Sequence, residues 1–218
     1  IEGDIRGLRI AVCEDFFGDS LDDEVAALSN ASLDVYRQLG ATIVPVRFPE
    51  MQDLVALTTV LSSSESAGYH ASGLASDWDR YGHQTRGRML AGLFYPAVTY
   101  QQALKLRAPI LRAFCEAMFA NADVMHAPGL DTPVPTIAET DHSDGPGFLQ
   151  ALIRLTRNIR PFNYLGVPTM AVPAGFTANG LPASFQLAGR PFDEATLYRT
   201  ARAYERATGC TDTHPQLD

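Results

Sequence analysis

The sequence predicts an α/β protein in which a mixed β-sheet is sandwiched by helices. Three observations support this fold class. Residues 8–46 read as strand, helix and strand, and the short links of such a unit give parallel, right-handed pairing. Further apolar strands alternate with helical segments along the rest of the chain. Near the C-terminus, the dipeptide at 179–180 separates two strand-like runs, which indicates an antiparallel hairpin.

The first two strands are short and rich in β-branched residues. Leu8–Val12 is an apolar run bounded by Gly7 and Asp15, and Thr42–Val46 is a second such run. Proline cannot donate to a strand ladder, so Pro45 predicts that the second strand lies at a sheet edge or carries a bulge.

The segment between these strands has the pattern of an amphipathic helix. Ser20 and Asp23 resemble a capping box at its start, with Asp in place of the usual Glu or Gln. Gly40 supplies a left-handed residue that ends the helix. One helical face is formed by positions spaced four and three apart: Leu21, Val25, Leu28, Ser32, Val35 and Leu39.

Three longer helices are predicted in the middle of the chain, over 52–73, 84–93 and 99–120. A strand follows at 123–127, and residues 129–147 lack periodicity and predict a loop. The expected buried face of the third helix consists of Leu104, Ala108, Leu111, Cys115 and Met118.

The C-terminal region predicts a hairpin followed by a helix. Strands are expected over 167–172 and 183–188, and Asn179-Gly180 between them favours a type I′ turn. Asp193 is expected to cap a last helix that runs through Tyr204.

Composition indicates a globular protein with a real core. The chain has 218 residues, 46% of them hydrophobic, which suits one large domain or a domain and a half. The net charge is −8, and the 17 basic residues form no dense cluster. Nucleic-acid binding, which needs a basic stripe, is therefore not expected.

The sequence predicts a cytoplasmic protein without a membrane partner. Its three cysteines are far apart and form no metal or disulfide pattern, which suits a reducing compartment. The longest apolar stretches are far shorter than the roughly 20 residues needed to span a bilayer. No signal peptide is visible.

Few residues carry recognisable chemistry of their own. The serine-rich run 62–66 lacks glycines and lies in a helical pattern, so helix packing explains it better than catalysis. The one lysine, Lys105, is expected to be a surface charge, and His126 a structural imidazole. Gly-Pro-Gly at 145–147 reads as a turn, and the histidines lack metal-site spacing, so neither a metal nor a cofactor is expected. The histidines are His70, His83, His126, His142 and His214.

The C-terminal block resembles the end of the amidase signature family of serine hydrolases. The block comprises Arg160–Pro168, Ala171–Phe176, Gly180–Pro182 and Phe185–Leu197. The resemblance continues in order through the rest of the chain: Gly7–Val12, Glu65 with Tyr69-His70, Tyr81-Gly82 followed by Arg88, Tyr100–Ala103 with Arg107, Asp123-Val124, and Ala127-Pro128.

The resemblance implies an α/β/α fold and acyl transfer from an amide. In that family a serine attacks the carbonyl, while a second serine and a lysine move the proton. The Gly/Ser-rich segment that holds these groups has no counterpart here, so no catalytic residue can be carried over. Residues 1–218 are thus expected to be the C-terminal part of an amidase signature domain that lacks its catalytic Ser-Ser-Lys segment and is inert alone.

The resemblance also implies substrate-binding residues. Arg88 lies where several relatives hold the carboxylate of an acidic substrate, and Tyr81 could contribute a hydrogen bond to the same pocket. An ordinary ion pair is the alternative for Arg88. Arg160, Asn163 and Gln186 belong to the specific block, as substrate contacts or as backbone anchors.

The expected function is hydrolysis of a small carboxylic amide to acid and ammonia. The expected partners are the amide and an N-terminal amidase segment or second chain, and a homodimer is left open. Two alternatives remain: an amidotransferase-A-like component of a glutamine amidotransferase, and a non-catalytic scaffold or binding fragment. Asp131 departs from the family, where a small hydroxyl residue or proline is usual in this loop.

Overall fold

A five-stranded mixed sheet forms the centre of the molecule. The computed structural model describes residues 1–140 and 147–212. The strands are β1 Arg9–Cys13, β2 Thr42–Val46, β3 Val124–Pro128, β4 Thr169–Phe176 and β5 Pro182–Gly189, in the order β2-β1-β3-β5-β4. β2, β1 and β3 are parallel, and β5 is antiparallel to both β3 and β4. The predicted fold class is confirmed.

Helices cover both faces of this sheet. They are α1 Asp23–Gln38, α2 Met51–Ser76, α3 His83–Leu93, α4 Ala97–Phe119, α5 Ile137–Thr140, α6 Gly147–Thr156, α7 Arg160–Leu165 and α8 Glu194–Thr208, with a 3₁₀ turn at Trp78–Arg80. In the described part of the chain, no helix is long and apolar enough to cross a bilayer.

Two buried clusters hold the layers together, one on each face. Successive side chains of a strand point to opposite faces, so β5 feeds both clusters. Phe185 and Leu187 pack with Tyr36 of α1 and Tyr204 of α8. Ala188 lies in the opposite cluster, whose helical members include Phe114, Met118 and Phe162 from α4 and α7.

Pro45 lies in an edge strand, as predicted. Among the described strands β2 pairs only with β1, and the register runs without a break from Arg9↔Thr42 to Cys13↔Val46. The missing N–H of Pro45 therefore disturbs no interior ladder.

The predicted cap of α1 is wrong, whereas its predicted end is confirmed. Asp22, not Ser20, is the N-cap, and its Oδ1 accepts from the Glu24 N–H at 2.9 Å. The Ser20 hydroxyl instead donates to Asp131 Oδ2 at 2.9 Å. Gly40 follows the helix with φ +88°, a conformation that costs glycine little.

The predicted buried face of α4 is only partly correct. Met118 is buried, but Leu104 and Ala108 are exposed. Ala103 and Phe114 are buried in their place. All residues from 104 to 109 are exposed, because no described element covers the middle of the helix.

The β4–β5 hairpin does not use the predicted type I′ turn. That turn requires positive φ at both central residues, and only Gly180 has it, at +75°. The Thr177 carbonyl accepts from Gly180 N, and Thr177 N donates to the Leu181 carbonyl, both at 2.8 Å. These bonds form a three-residue loop closed by a left-handed glycine.

The sequence did not predict three helices, which lie before the C-terminal block and at its start. α5 lies inside the predicted loop 129–147, and α6 and α7 follow it. The predicted turn at 145–147 lies largely outside the described residues, as do His142 and His214.

Candidate functional site

Helix α7 is anchored by contacts with its neighbours. Pro161 occupies its first turn, where a missing N–H costs nothing, and Gly166 ends it with φ +71°. Phe162 stacks on Phe17 with ring centroids 5.9 Å apart. The Tyr164 hydroxyl donates to the Ala103 carbonyl of α4 at 2.6 Å. Much of the Arg-Pro-Phe-Asn-Tyr-Leu-Gly block therefore anchors the helix.

Arg160 begins α7 and joins it to α2 and α6. Its Nε donates to Thr156 Oγ1 at 2.8 Å, and its Nη1 donates to Thr59 Oγ1 at 2.7 Å. Its carbonyl accepts from Thr58 Oγ1 at 2.9 Å. Burial, and then the like charge of Arg88, lowers the pKa of the Arg160 guanidinium.

Arg88 is exposed on α3. Neither arginine has a carboxylate within 4.0 Å among residues 1–140 and 147–212. The like charge of Arg88 is a secondary cause of the lowered pKa of Arg160, so the two arginines give this part of the described structure a positively charged site. Such a site can bind a carboxylate or another small anion.

Tyr81 contacts a different part of α2 from Arg160. Its ring packs against Gly73 of α2, and its hydroxyl is 3.3 Å from His70 Nδ1. Gly73 is fourteen residues beyond Thr59, which corresponds to about 21 Å along a helix. The contact of Tyr81 with α2 therefore lies well along the helix from Thr59, which binds Arg160.

Gln186 and Asn163 occupy contrasting environments. Gln186 is 4% exposed, and its Nε2 donates to the Pro128 carbonyl at 3.0 Å and the Asn158 carbonyl at 2.9 Å. It thus fastens the end of β3 to the turn before α7. Asn163 is exposed on α7, and its backbone N–H donates to the Ile159 carbonyl.

A buried polar cluster adjoins the end of β3. Asp131 is fully buried, and its Oδ2 lies 3.7 Å from Arg157 Nη1 in addition to its bond from Ser20. Arg157 also pairs with Asp19 at 3.3 Å and lies 3.7 Å above the Phe16 ring. The carboxylate of Asp131 thus joins two loops, through Ser20 and Arg157.

Other residues with possible chemistry are accounted for by packing. His126 is buried, and its Nε2 lies 2.8 Å from Ser32 Oγ, which confirms a satisfied structural imidazole. The serine run 62–66 lies within α2, and Lys105 is exposed on α4. In the two described ranges, no group of three or more His, Cys, Asp or Glu side chains could hold a metal ion.

Sequence reasoning did not find the residues that hold Arg160. Thr59 and Thr156 lie far from each other in the sequence and have no distinguishing motif around them. Thr59 contacts Arg160 from about one hundred residues away in the sequence, whereas Thr156 precedes Arg160 by about one helical turn. Only the tertiary structure brings them together.

Comparison with known proteins identifies relatives of the chain along nearly its whole length. The family model described as Amidase matches residues 1–198. An amidase of Pseudomonas putida is 33% identical over 214 residues, which cover 98% of this chain and 46% of that protein. The A-type component of a glutamyl-tRNA(Gln) amidotransferase from Bacillus licheniformis is 34% identical over 241 residues, covering all of this chain and 48% of that protein.

Solved structures have the same fold. A crystal structure of an amidase matches with a TM-score of 0.80 and 24% identity, over 94% of this chain and 46% of that one. A 6-aminohexanoate cyclic dimer hydrolase complexed with substrate matches with a TM-score of 0.78 and 18% identity, over 97% and 47%. The chain spans about half the length of the curated relatives it matches. Through the family match and these relatives, the chain belongs to the amidase family.

Proposed function

We propose that this chain is the C-terminal part of an amide hydrolase and forms the substrate-facing wall of its active site. The observation that carries the proposal is the extent of the match. The chain is covered almost completely, while the relatives are covered by about half. In this proposal, a separate N-terminal segment supplies the nucleophilic serine, the second serine and the lysine.

The described residues are consistent with a missing catalytic segment. Lys105 is the single lysine, and it is exposed on α4. The strands β2 and β4 lie at the two edges of the sheet, where each can pair with further strands. The exposed middle of α4, including Leu104 and Leu106, is a second surface that another segment can cover.

We further propose that the substrate is a small amide that carries a carboxylate. Arg88 and Arg160 provide two cationic groups without an acidic partner among the described residues, whereas the chain as a whole is acidic at −8. A planar guanidinium can bind both oxygens of a carboxylate. Gln186 and Asn163 would then support the wall of this site, Gln186 by holding two backbone carbonyls.

The test is ammonia release from a small acidic amide, measured with the 218-residue chain alone and with an added N-terminal amidase segment. We expect release with the two together and none with the chain alone. Steady turnover by the chain alone, above a heat-killed control, would refute the proposal that the catalytic groups come from elsewhere.

A second candidate function is that of an amidotransferase component. It is supported by the 34% identity to a glutamyl-tRNA(Gln) amidotransferase component, against 33% to the amidase. Such a component would co-purify with further protein chains, whereas a simple amidase would not. The non-catalytic scaffold has no specific observation in its favour.

A further inference from the structure

The turn between β5 and α8 holds an aromatic residue in a strained conformation. The Asp193 N–H donates to the Arg190 carbonyl at 3.1 Å, so residues 190–193 form a four-residue turn. Pro191 is its second residue, and Phe192 is its third, with φ +66°. A left-handed third position favours glycine or asparagine, so the bulky side chain of Phe192 strains the backbone.

Phe192 is also almost fully exposed, at 95%. An aromatic ring in water and a strained backbone each destabilise the folded chain. Strain of this kind is typical of residues that bind another molecule, and an exposed aromatic ring is a common anchor in protein interfaces.

A surface cavity adjoins this turn. Its volume is about 550 Å³, and it is lined by Arg190 and Pro191 of the turn and by residues from the end of α4. Cys115, Phe119 and Ala120 are among the α4 residues that line it. A cavity of this size with an apolar lining can accept a phenyl ring.

The cavity is held in shape by Arg190. Its Nη2 donates to the carbonyls of Phe119 and Ala122, the latter at 2.9 Å, and its guanidinium lies 5.3 Å from the centre of the Phe119 ring. These contacts join the turn to the end of α4. The cavity therefore exists before any partner arrives.

The charges beside the ring complement those of the cavity. Two guanidinium groups and one carboxylate line the cavity, so its net charge is positive. Phe192 is followed directly by Asp193 and Glu194, and neither carboxylate has a basic partner within 4.0 Å in the described portions of the chain. An acidic segment that carries an aromatic ring suits a positively charged apolar cavity.

We propose that two copies of this chain form a dimer in which Phe192 of each copy enters the cavity of the other. The ring and the cavity adjoin on one chain, so a two-fold axis beside the turn brings both contacts together at once. Another kind of segment can fill the cavity or cover the ring, whereas a second copy does both with the same residues.

The cavity and the candidate site lie towards opposite ends of β3. Val124, at the start of β3, pairs with Gly189, which immediately precedes Arg190 of the cavity. Gln186, by contrast, donates to the carbonyl of Pro128, at the end of β3. The dimer therefore goes beyond the proposed function and does not depend on it.

The experiment is sedimentation equilibrium of the 218-residue chain over a series of protein concentrations. We expect the mass to rise from 23.7 kDa towards twice that value, with a dissociation constant on the order of micromolar. A single species of 23.7 kDa at every concentration would overturn the proposal in favour of a different segment as the occupant of the cavity.

The Phe192→Asn variant tests the role of the ring. We expect its dimer to dissociate at least about tenfold more readily, because the aromatic anchor is lost. Its melting temperature under dilute, monomeric conditions should equal or exceed that of the parent, because asparagine tolerates a left-handed backbone. An unchanged dissociation constant, or a lower melting temperature of the monomer, would contradict the proposed role.

Phe94→Asn is the matched control for this variant. Phe94 is also exposed, at 82%, but its φ is an ordinary −100°. It precedes α4, whereas the cavity lies at the other end of that helix. We expect Phe94→Asn to leave the dissociation constant unchanged, and equal weakening in both variants would rule out a specific contact of Phe192.

A second variant tests the cavity and its reciprocal use. Ala120 is exposed at the end of α4, so Ala120→Gln can fill the cavity without disturbing the core. We expect this variant also to weaken the dimer about tenfold or more. A mixture of Ala120→Gln with Phe192→Asn retains one intact ring and one intact cavity in each mixed pair, so it should associate more tightly than either variant alone. A mixture that associates no more tightly than the separate variants would show that the contact is not reciprocal and overturn the proposed dimer.

Discussion

Arg88 is an exposed residue whose consequence is local and electrostatic. It lies on α3, and, second to burial, its like charge is a cause of the lowered pKa of Arg160. Arg88 is exposed and has no acidic partner in the described residues, so neither observation gives it a role in folding. At the residue scale, it is therefore the position at which function can be changed with little effect on stability.

The Arg88→Ala substitution should weaken binding of acidic amides selectively. In the complete enzyme, we expect KM for an acidic amide to rise about tenfold or more, because a charge-assisted hydrogen bond is lost. KM for a neutral amide of the same size should change by less than about twofold. Arg112→Ala, an exposed arginine on α4, is the control. Equal effects on both amides would argue against a carboxylate site.

Helices α2 and α3 are held together by close backbone contact. Gly92 of α3 is buried, and a Cβ there would lie 2.0 Å from the Ser63 carbonyl oxygen and 2.9 Å from Ala67 Cβ. Real side chains do not approach a carbonyl so closely. At the scale of elements, this glycine sets the distance between the helices that carry Arg88 and Thr59.

Replacing Gly92 with alanine should push the two helices apart. We expect Gly92→Ala to lower the free energy of unfolding by about 1–3 kcal/mol, the usual cost of overpacking. Gly87→Ala is the matched control on the same helix, because a Cβ there meets nothing within 4 Å. That change should be neutral or stabilising by up to about 1 kcal/mol. Urea denaturation of both variants measures the difference, and equal stability would contradict the packing argument.

His126 couples the stability of the whole molecule to pH. It is buried between the sheet and α1, stacks on Phe185 at 4.7 Å, and bonds Ser32. Burial lowers the pKa of its imidazole from the usual 6.5 to about 3. Between these two pH values the unfolded chain binds a proton at this residue that the folded protein does not bind. Stability must therefore fall as pH decreases below about 6.5.

This linkage predicts a measurable loss of stability in mild acid. Between pH 8 and pH 5, the contribution from His126 should fall by about 2 kcal/mol, since each pKa unit corresponds to 1.36 kcal/mol. Carboxylates also titrate in acid, so the parent is compared with His126→Gln by urea denaturation at each pH. The parent should lose about 2 kcal/mol more than the variant. Parallel pH profiles would show that His126 is not the responsible group.

Local patterns in the sequence predicted most of the secondary structure. The β1–α1–β2 unit, the left-handed Gly40 and the edge position of Pro45 each depend on residues close together in the chain. The family resemblance likewise depends on consecutive residues, above all the block from Arg160 to Gly166. Such features are set by backbone preferences and periodicity, which a single sequence contains.

The remaining features, such as the cap of α1 and the contacts of Arg160, depend on segments that are distant in the sequence and meet only in the folded protein. The N-cap of α1 is Asp22 and not the predicted Ser20, because the Ser20 hydroxyl donates to Asp131, more than one hundred residues away in the sequence. The hydrogen bond from Arg160 to Thr59 likewise joins two residues about one hundred positions apart. Hydrogen bonds of this kind depend on which segments meet in space, and that follows from the packing of the whole chain rather than from any local pattern.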